Sequence, residues 1–267
     1  MHRGVPLEWL PELDITPPAR QRRLTVLLRL LLLVPQSIVM AVLGLVTFFA
    51  AIAAWFAALV LGRLPGWAES YLSGYVGYAT RVYASLYLLV DSYPPFSFTA
   101  AESPVQVELR PGQLNRLAVL FRIILAIPAG IIGAVLTAGW EALSFFCWLV
   151  VLILGRTPEP LFEATAAILR YSMRLQAYFL MLTPAYPKRL FGDRAPAGAT
   201  GTAPGGWSAT RPLLLTGAAK VLLAVFIVFG LVSVAVPSGE SGSGSSQGSS
   251  TADAWQVALP FSWISRK

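Results

Sequence analysis

The chain has 267 residues, 56% hydrophobic and only 12% charged, with a mean hydropathy of +0.65. Soluble domains carry about 25% charged residues, so disulfide-stapled secreted scaffolds, disordered regulators and ordinary cytosolic enzymes are set aside in favour of a protein whose solvent is largely lipid. The balance of 20 Lys+Arg against 13 Asp+Glu reports topology and anionic headgroups, and no basic run is interleaved with base-stacking aromatics, so nucleic acid is not an expected partner.

Residues 1–19 read as an N-terminal cytoplasmic segment. What precedes the first apolar run is too long for a signal-peptide core and lacks a small-residue cleavage site, so this end is expected to stay attached as a membrane anchor. From Arg23 onward the sequence repeats itself. A shift of 93 positions superposes Arg23–Pro95 on Arg116–Lys188 without a gap, with 23 identities in 73 positions. Apolar composition does not account for the matches of Arg23 with Arg116, Arg29 with Arg122, Pro35 with Pro128, Trp55 with Trp148, Tyr78 with Tyr171 or Arg81 with Arg174. The expected division is membrane repeat 1 at 20–98, a linker at 99–111 and membrane repeat 2 at 112–190.

Each copy begins with a tract, 24–62 and 117–155, that is nearly free of charge. One crossing needs only about 20 residues, so each tract is expected to fold as a tight helical hairpin, turning near 44–47 in copy one and near 137–141 in copy two, where Glu141 marks the turn. Pro35 and Pro128 sit mid-limb, where a missing amide and a ring clash kink a helix. The bend either shapes packing alone or opens a carbonyl toward a site. Gly62 with Pro65, and Gly155 with Pro158, are the breakers that end each tract at the membrane edge.

The segments that follow, 67–91 and 160–183, mix Glu69, Arg81 and several tyrosines, or Glu163, Arg170, Arg174 and Gln176, with apolar residues. Charges of this kind make a lipid-facing span expensive. An amphipathic helix in the interface satisfies both characters, and a third span lined by its neighbours is the alternative. A cytoplasmic linker, 191–211, leads to an apolar stretch, 212–236, interrupted only by Lys220 and read as one transmembrane helix. A Gly/Ser-rich tether with an aromatic C-terminal patch, 237–267, closes the chain.

The fold class expected is therefore all-α integral membrane: a duplicated unit of helical hairpin plus amphipathic interfacial helix, one C-terminal transmembrane helix and a flexible tail. Arg20, Arg22 and Arg23 before the first hairpin, and Lys188, Arg189, Arg194 and Arg211 before the last span, place the N-terminus in the cytoplasm and the tail outside the plasma membrane. If the third segments also span, the copies become inverted three-helix repeats, as in many transporters.

The residues Leu61-Gly62-Arg63-Leu64-Pro65, Tyr78-Ala79-Thr80-Arg81 and Asp91-Ser92-Tyr93-Pro94-Pro95-Phe96-Ser97 resemble the bacterial membrane family known as domain of unknown function 4389. The second copy, with Gly155-Arg156-Thr157-Pro158, Tyr171 to Arg174 and Tyr186-Pro187, is similar to the same unit but replaces Asp91 with Pro184. Pro104 to Glu108 resembles the family's lead-in to its first helix. The resemblance implies an envelope protein, actinobacterial by its tandem form, and supplies no activity.

A nucleophile needs a base within reach, and the one histidine, His2, stands near the start of the chain. There is no zinc spacing, phosphate-cradling glycine loop or paired carboxylate in a span. No enzyme activity, metal or cofactor is expected. The repeated Arg29, Arg81, Arg122 and Arg174, with Tyr78 and Tyr171, are the candidate contacts to anionic phospholipid headgroups. They either anchor helices by snorkelling or converge in pairs on a lipid phosphate, a geometry that suits guanidinium forks. The bilayer, an envelope protein or a second copy of the chain are the expected partners. A scaffold, accessory or membrane-shaping role leads, with a transporter or channel subunit using Glu141, Gln176, Arg81 and Arg174 as the alternative.

Overall fold

The computed structural model describes residues 10–16, 20–99, 102–193, 210 and 213–235. The tether, the aromatic patch and most of the 191–211 linker fall outside them. Eight elements follow in chain order: β1 (Glu12–Ile15), α1 (Arg23–Leu61), α2 (Gly66–Leu86), β2 (Val105–Glu108), α3 (Arg116–Leu120), α4 (Arg122–Leu154), α5 (Glu159–Phe179) and α6 (Gly217–Ala235). The protein is mostly helical, and α1, α4 and α6 are each long and apolar enough to cross a membrane.

The tight hairpins expected within 24–62 and 117–155 do not form. α1 runs unbroken for 39 residues through Gly44, and α4 for 33 through Gly139. Among the described glycines only Gly62, Gly155 and Gly192 adopt positive φ, so neither expected turn has the left-handed residue a reversal needs. A continuous buried stripe also holds each helix together as one element. Val26, Arg29, Leu33, Gln36, Met40, Thr47, Ala54 and Ala58 are buried along α1, a run spaced by threes, fours and sevens that keeps one seam on its neighbours. The seam repeats in copy two as Val119, Arg122, Ala126, Ala129, Gly133, Trp140, Cys147 and Val151, all buried and each 93 positions on. Copy two differs in one respect: Phe121 interrupts the helix, separating α3 from α4.

Pro35 and Pro128 lie inside α1 and α4 without ending them. The helices stop at Gly62 and Gly155, whose φ of 70° and 66° let their N–H groups reach back to Ala58 and Val151. Pro65 and Pro158 then stand at the N-caps of α2 and α5, where a fixed φ starts a helix and an absent amide costs nothing.

The third segments form the interior of the molecule. α2 buries a run from Tyr75 to Val82 and α5 one from Ala164 to Tyr171, and the two pack on each other as well as on their own long helices. These helices expose little, because α1 or α4 covers one side and a polypeptide strap the other.

That strap corrects the all-α expectation. β1 and β2 pair antiparallel in the register Glu12↔Glu108 to Ile15↔Val105, so the segment expected to be linker carries a strand. Leu13, Ile15 and Val105 point inward and are buried, while Glu12, Asp14, Gln106 and Glu108 alternate to the outer side.

The two copies are related by a dyad. Gln21 N–H donates to Gly155 O (2.9 Å) and, reciprocally, Leu114 N–H donates to Gly62 O (3.0 Å). Trp55 Nε1 donates to Val119 O (3.0 Å) and Trp148 Nε1 to Val26 O (2.9 Å). Each contact becomes its partner when 93 is added to the residue of copy one and subtracted from that of copy two, the signature of an isologous interface. The start of α1 therefore meets the end of α4, and the end of α1 meets the start of α3, so the long helices are antiparallel. The ribbon register obeys the same operation, which places the dyad through the ribbon, between α2 and α5, and between α1 and α4. β2 rests on α2 and β1 on α5, and neither strand touches α1 or α4. The result is three layers: ribbon, inner helices, long helices.

α6 breaks the symmetry. It packs antiparallel along α4 and against α5, held close because Gly139 faces the Phe226 carbonyl and Gly230 faces the Val135 carbonyl with no side chain between. Small residues of this kind let helices approach where lipid offers no hydrophobic drive. The corresponding positions of copy one, Val42 and Val46, remain 60% and 48% exposed.

Candidate functional site

The repeated arginines all turn inward. Arg29, Arg122, Arg81 and Arg174 are 4%, 4%, 6% and 3% exposed. Buried cations must be hydrogen-bonded or paired, and here most of the partners are carbonyls left over where elements end. Arg29 donates to Ser85 O (2.7 Å), in the last turn of α2, and weakly to Gln21 Oε1 (3.5 Å), and it pairs with Asp91 at 3.4 Å. The turn that brings those acceptors in has Leu88 at φ 62°, mirrored by Met181 at 63° in copy two. A left-handed residue there closes each inner helix as glycine does elsewhere.

Arg122 occupies the equivalent place without the carboxylate. It donates to Thr183 O and lies 4.2 Å over the Tyr178 ring, but its Nε has no hydrogen-bond partner. Pro184 stands where copy one has Asp91.

The remaining pairs diverge further. Arg81 donates to Ser97 O and Phe98 O, and its Nε is also unpartnered. Arg174 donates to Pro11 O (2.9 Å) and Lys188 O (3.1 Å), tying the N-terminal strap to copy two. Arg29 and Arg81 share no partner, nor do Arg122 and Arg174, so the residues expected to converge on one phosphate are instead spread along the bundle. Tyr78 and Tyr171 reach the long helix of their own copy at one repeat position: Tyr78 Oη donates to Gln36 Oε1, and Tyr171 Oη to Ala129 O (3.1 Å). Burial pushes both hydroxyls up to about 12, so they stay protonated and act as donors.

Two groups stand outside the expected set. Gln21 is buried and donates to Leu88 O (2.7 Å) and Thr157 Oγ1 (2.8 Å), stitching the dyad contact. Arg170 joins Arg174 and Arg189 around Asp193, with Arg170 Nη1 at 2.5 Å from the carboxylate. Asp193 also accepts from Leu213 N–H (3.3 Å), ahead of α6. Burial lowers both arginines, Arg174 to about 10 with the charge of Arg170 adding to the effect, and Asp193 opposes the shift. Arg170 corresponds to Gly77, so comparison of the copies carried no signal for it. Asp193→Asn is expected to lower the thermal midpoint of the detergent-solubilised protein by several degrees, because it leaves three cations on a neutral acceptor. An unchanged midpoint would show the cluster to be energetically idle.

Besides Arg110, Lys188, Arg189 and Lys220, the exposed cations among the described residues stand at both ends of the bundle. Arg20, Arg22, Arg23 and Arg156 ring the end where α1 starts, and Arg63 and Arg116 ring the end where it stops. Nothing in these arrangements resembles a nucleophile with its base.

The family model described as Domain of unknown function (DUF4389) matches residues 23–97 and again residues 116–190. No curated protein and no solved structure matches the chain.

Proposed function

The chain belongs to the DUF4389 domain family in two tandem copies, and on that premise we propose that it is a non-enzymatic membrane scaffold of the bacterial envelope that holds anionic lipid and shapes the bilayer around it. The observation that carries this reading is the extent of apolar surface. Exposed Leu, Val, Ile and Phe run from Leu24 (67%) to Leu61 (55%) on α1 and from Leu117 (66%) to Leu154 (48%) on α3 and α4. A patch on that scale marks contact with lipid or with another apolar surface, and the exposed arginines at its ends suit phosphates. The buried Arg29, Arg81, Arg122 and Arg174 then serve as positioning residues that hold loops in place.

Replacing Arg20, Arg22, Arg63 and Arg156 together by Gln is expected to weaken co-sedimentation with anionic liposomes at least tenfold, with little change on zwitterionic ones, since each surface cation is worth about 1 kcal/mol at an anionic membrane. Equal loss on both lipids would point to a folding defect, and no loss on either would reject headgroup binding by these ends. Added to preformed liposomes, the intact protein is expected to tubulate or vesiculate them, as seen by electron microscopy.

A second reading, a transporter or channel subunit, is favoured by one observation: antiparallel copies about a dyad are the symmetry of inverted-repeat transporters. It requires that the dyad lie in the membrane plane.

A further inference from the structure

We infer that the dyad stands along the membrane normal, with the β1–β2 ribbon toward water and the α1/α4 layer in the hydrocarbon, so that both copies enter the bilayer from the same side. The inference rests on the membrane reading above and specifies its geometry. Three independent features carry it.

The first is the ribbon. Were the helices upright, the dyad would be horizontal, and the ribbon would face lipid at mid-bilayer. Glu12, and Glu108 with its partner Arg110, would then lie in hydrocarbon beside a two-stranded sheet of which one outer edge meets Thr210, which accepts from Ile15 N–H (2.7 Å) and donates to Leu13 O (3.2 Å). Irregular and open-edged backbone is not found facing lipid, and carboxylates there are costly. The chain between Asp91 and Leu114 makes the same point: it leaves the end of the bundle where Arg29 sits and reaches the end where Gly62 sits, and apart from β2 its described residues are irregular backbone. In an upright bundle that stretch would cross the membrane without a helix.

The second is length. α1 spans 39 residues, about 57 Å at 1.5 Å per residue, against a hydrocarbon core of about 30 Å. Crossing it straight would take a tilt of about 60°, beyond the range of about 0–40° seen for spanning helices. Its apolar exposure continues to both tips, so neither end is built to protrude into water.

The third is charge. An upright bundle should be basic at one end only, yet exposed arginines ring both ends. With the dyad along the normal, both rings meet the headgroups of one leaflet, and the asymmetry appears between layers instead of between ends. Ribbon and loops carry the charges, the inner helices are mixed, and the long helices are apolar.

Full-length protein with Cys147→Ala and one added cysteine distinguishes the two orientations. Arg20→Cys and Gln113→Cys place the probe at the same repeat position at opposite ends of the bundle, and Gln106→Cys places it on the ribbon; all three positions are exposed. A membrane-impermeant maleimide applied to right-side-out and to inverted vesicles is expected to label all three from one side, at least tenfold over the other. Labelling of Arg20→Cys and Gln113→Cys from opposite sides would overturn the inference and bring the transporter reading forward. Modification of Gln106→Cys by a lipid-soluble reagent alone would overturn it too, by placing the ribbon in hydrocarbon. Recovery of the chain in the soluble fraction would instead reject the membrane reading, and this inference with it.

Discussion

Gly139→Leu is expected to detach α6 from the bundle, exposing a helix face that is buried in the parent protein. A Cβ at position 139 would overlap the Phe226 carbonyl, and one at position 230 would overlap the Val135 carbonyl. Both obstacles are backbone, so no rotamer change relieves them, and the helices must separate. Overpacking costs about 1–3 kcal/mol where side chains can shift and more where they cannot, so a loss of about 3 kcal/mol or more is expected here. The readout is Leu223, fully buried in the parent: in a Cys147→Ala background, Leu223→Cys should resist maleimide, and adding Gly139→Leu should make it reactive. Gly130→Ala serves as the control, since nothing lies within 4 Å of its Cβ direction. A protected Leu223→Cys in the Gly139→Leu protein would mean that α6 is held elsewhere, with the Asp193 and Glu163 contacts as the remaining candidates. Glu163 accepts from both Thr216 N–H (2.7 Å) and Thr216 Oγ1 (2.8 Å) at the start of α6.

Much of this fold is legible in the sequence once the copies are aligned. Gly62 with Pro65 and Gly155 with Pro158 mark helix boundaries because each carries a local backbone constraint, a positive φ or a fixed φ without a donor. The hairpin expectation fails for a physical reason. Bilayer thickness suggested cutting each 39-residue tract in two, but the seam from Val26 to Ala58 keeps period through Gly44 without a phase break, and a true turn would have shifted it. The ribbon was also present as alternation, in Leu13 and Ile15 and in Val105 and Val107, but four-residue strands stand alone poorly. Only the dyad, which no single strand encodes, makes them a pair. The arginines illustrate the limit in another way. Repetition picked out Arg29 and Arg122 as important, and both are buried, yet repetition said nothing of which carbonyls they would meet, because those are set by where α2 and α5 end.

The same repetition yields a quantitative contrast between the copies. Arg29 has a carboxylate at 3.4 Å, and that pair is 4% and 22% exposed; Arg122 has only Thr183 O and the face of Tyr178. Removing one member of a buried pair costs about 3–5 kcal/mol because the other is left uncompensated. The partial exposure of Asp91 places Arg29→Met at the lower end of that range, about 3 kcal/mol. Arg122→Met removes a cation that has no counter-charge among the described residues, so desolvation relieved offsets hydrogen bond lost, and a change within about 1 kcal/mol is expected. Restoring the missing partner should act in the opposite direction. Pro184→Asp supplies the carboxylate at the position Asp91 holds in copy one. It is expected to stabilise by about 1 kcal/mol, the new ion pair outweighing the roughly 0.4–1 kcal/mol lost with the proline's restriction of the unfolded chain. Thermal unfolding of the parent, the three single variants and the Arg122→Met/Pro184→Asp double variant in one detergent decides it. Equal losses for Arg29→Met and Arg122→Met would show that the carbonyl bonds, and not the carboxylate, set the worth of these arginines. If instead Pro184→Asp stabilises the parent but not Arg122→Met, the gain passes through that guanidinium, and the duplicated unit will have been shown to carry its ion pair in one copy and a vacant place for it in the other.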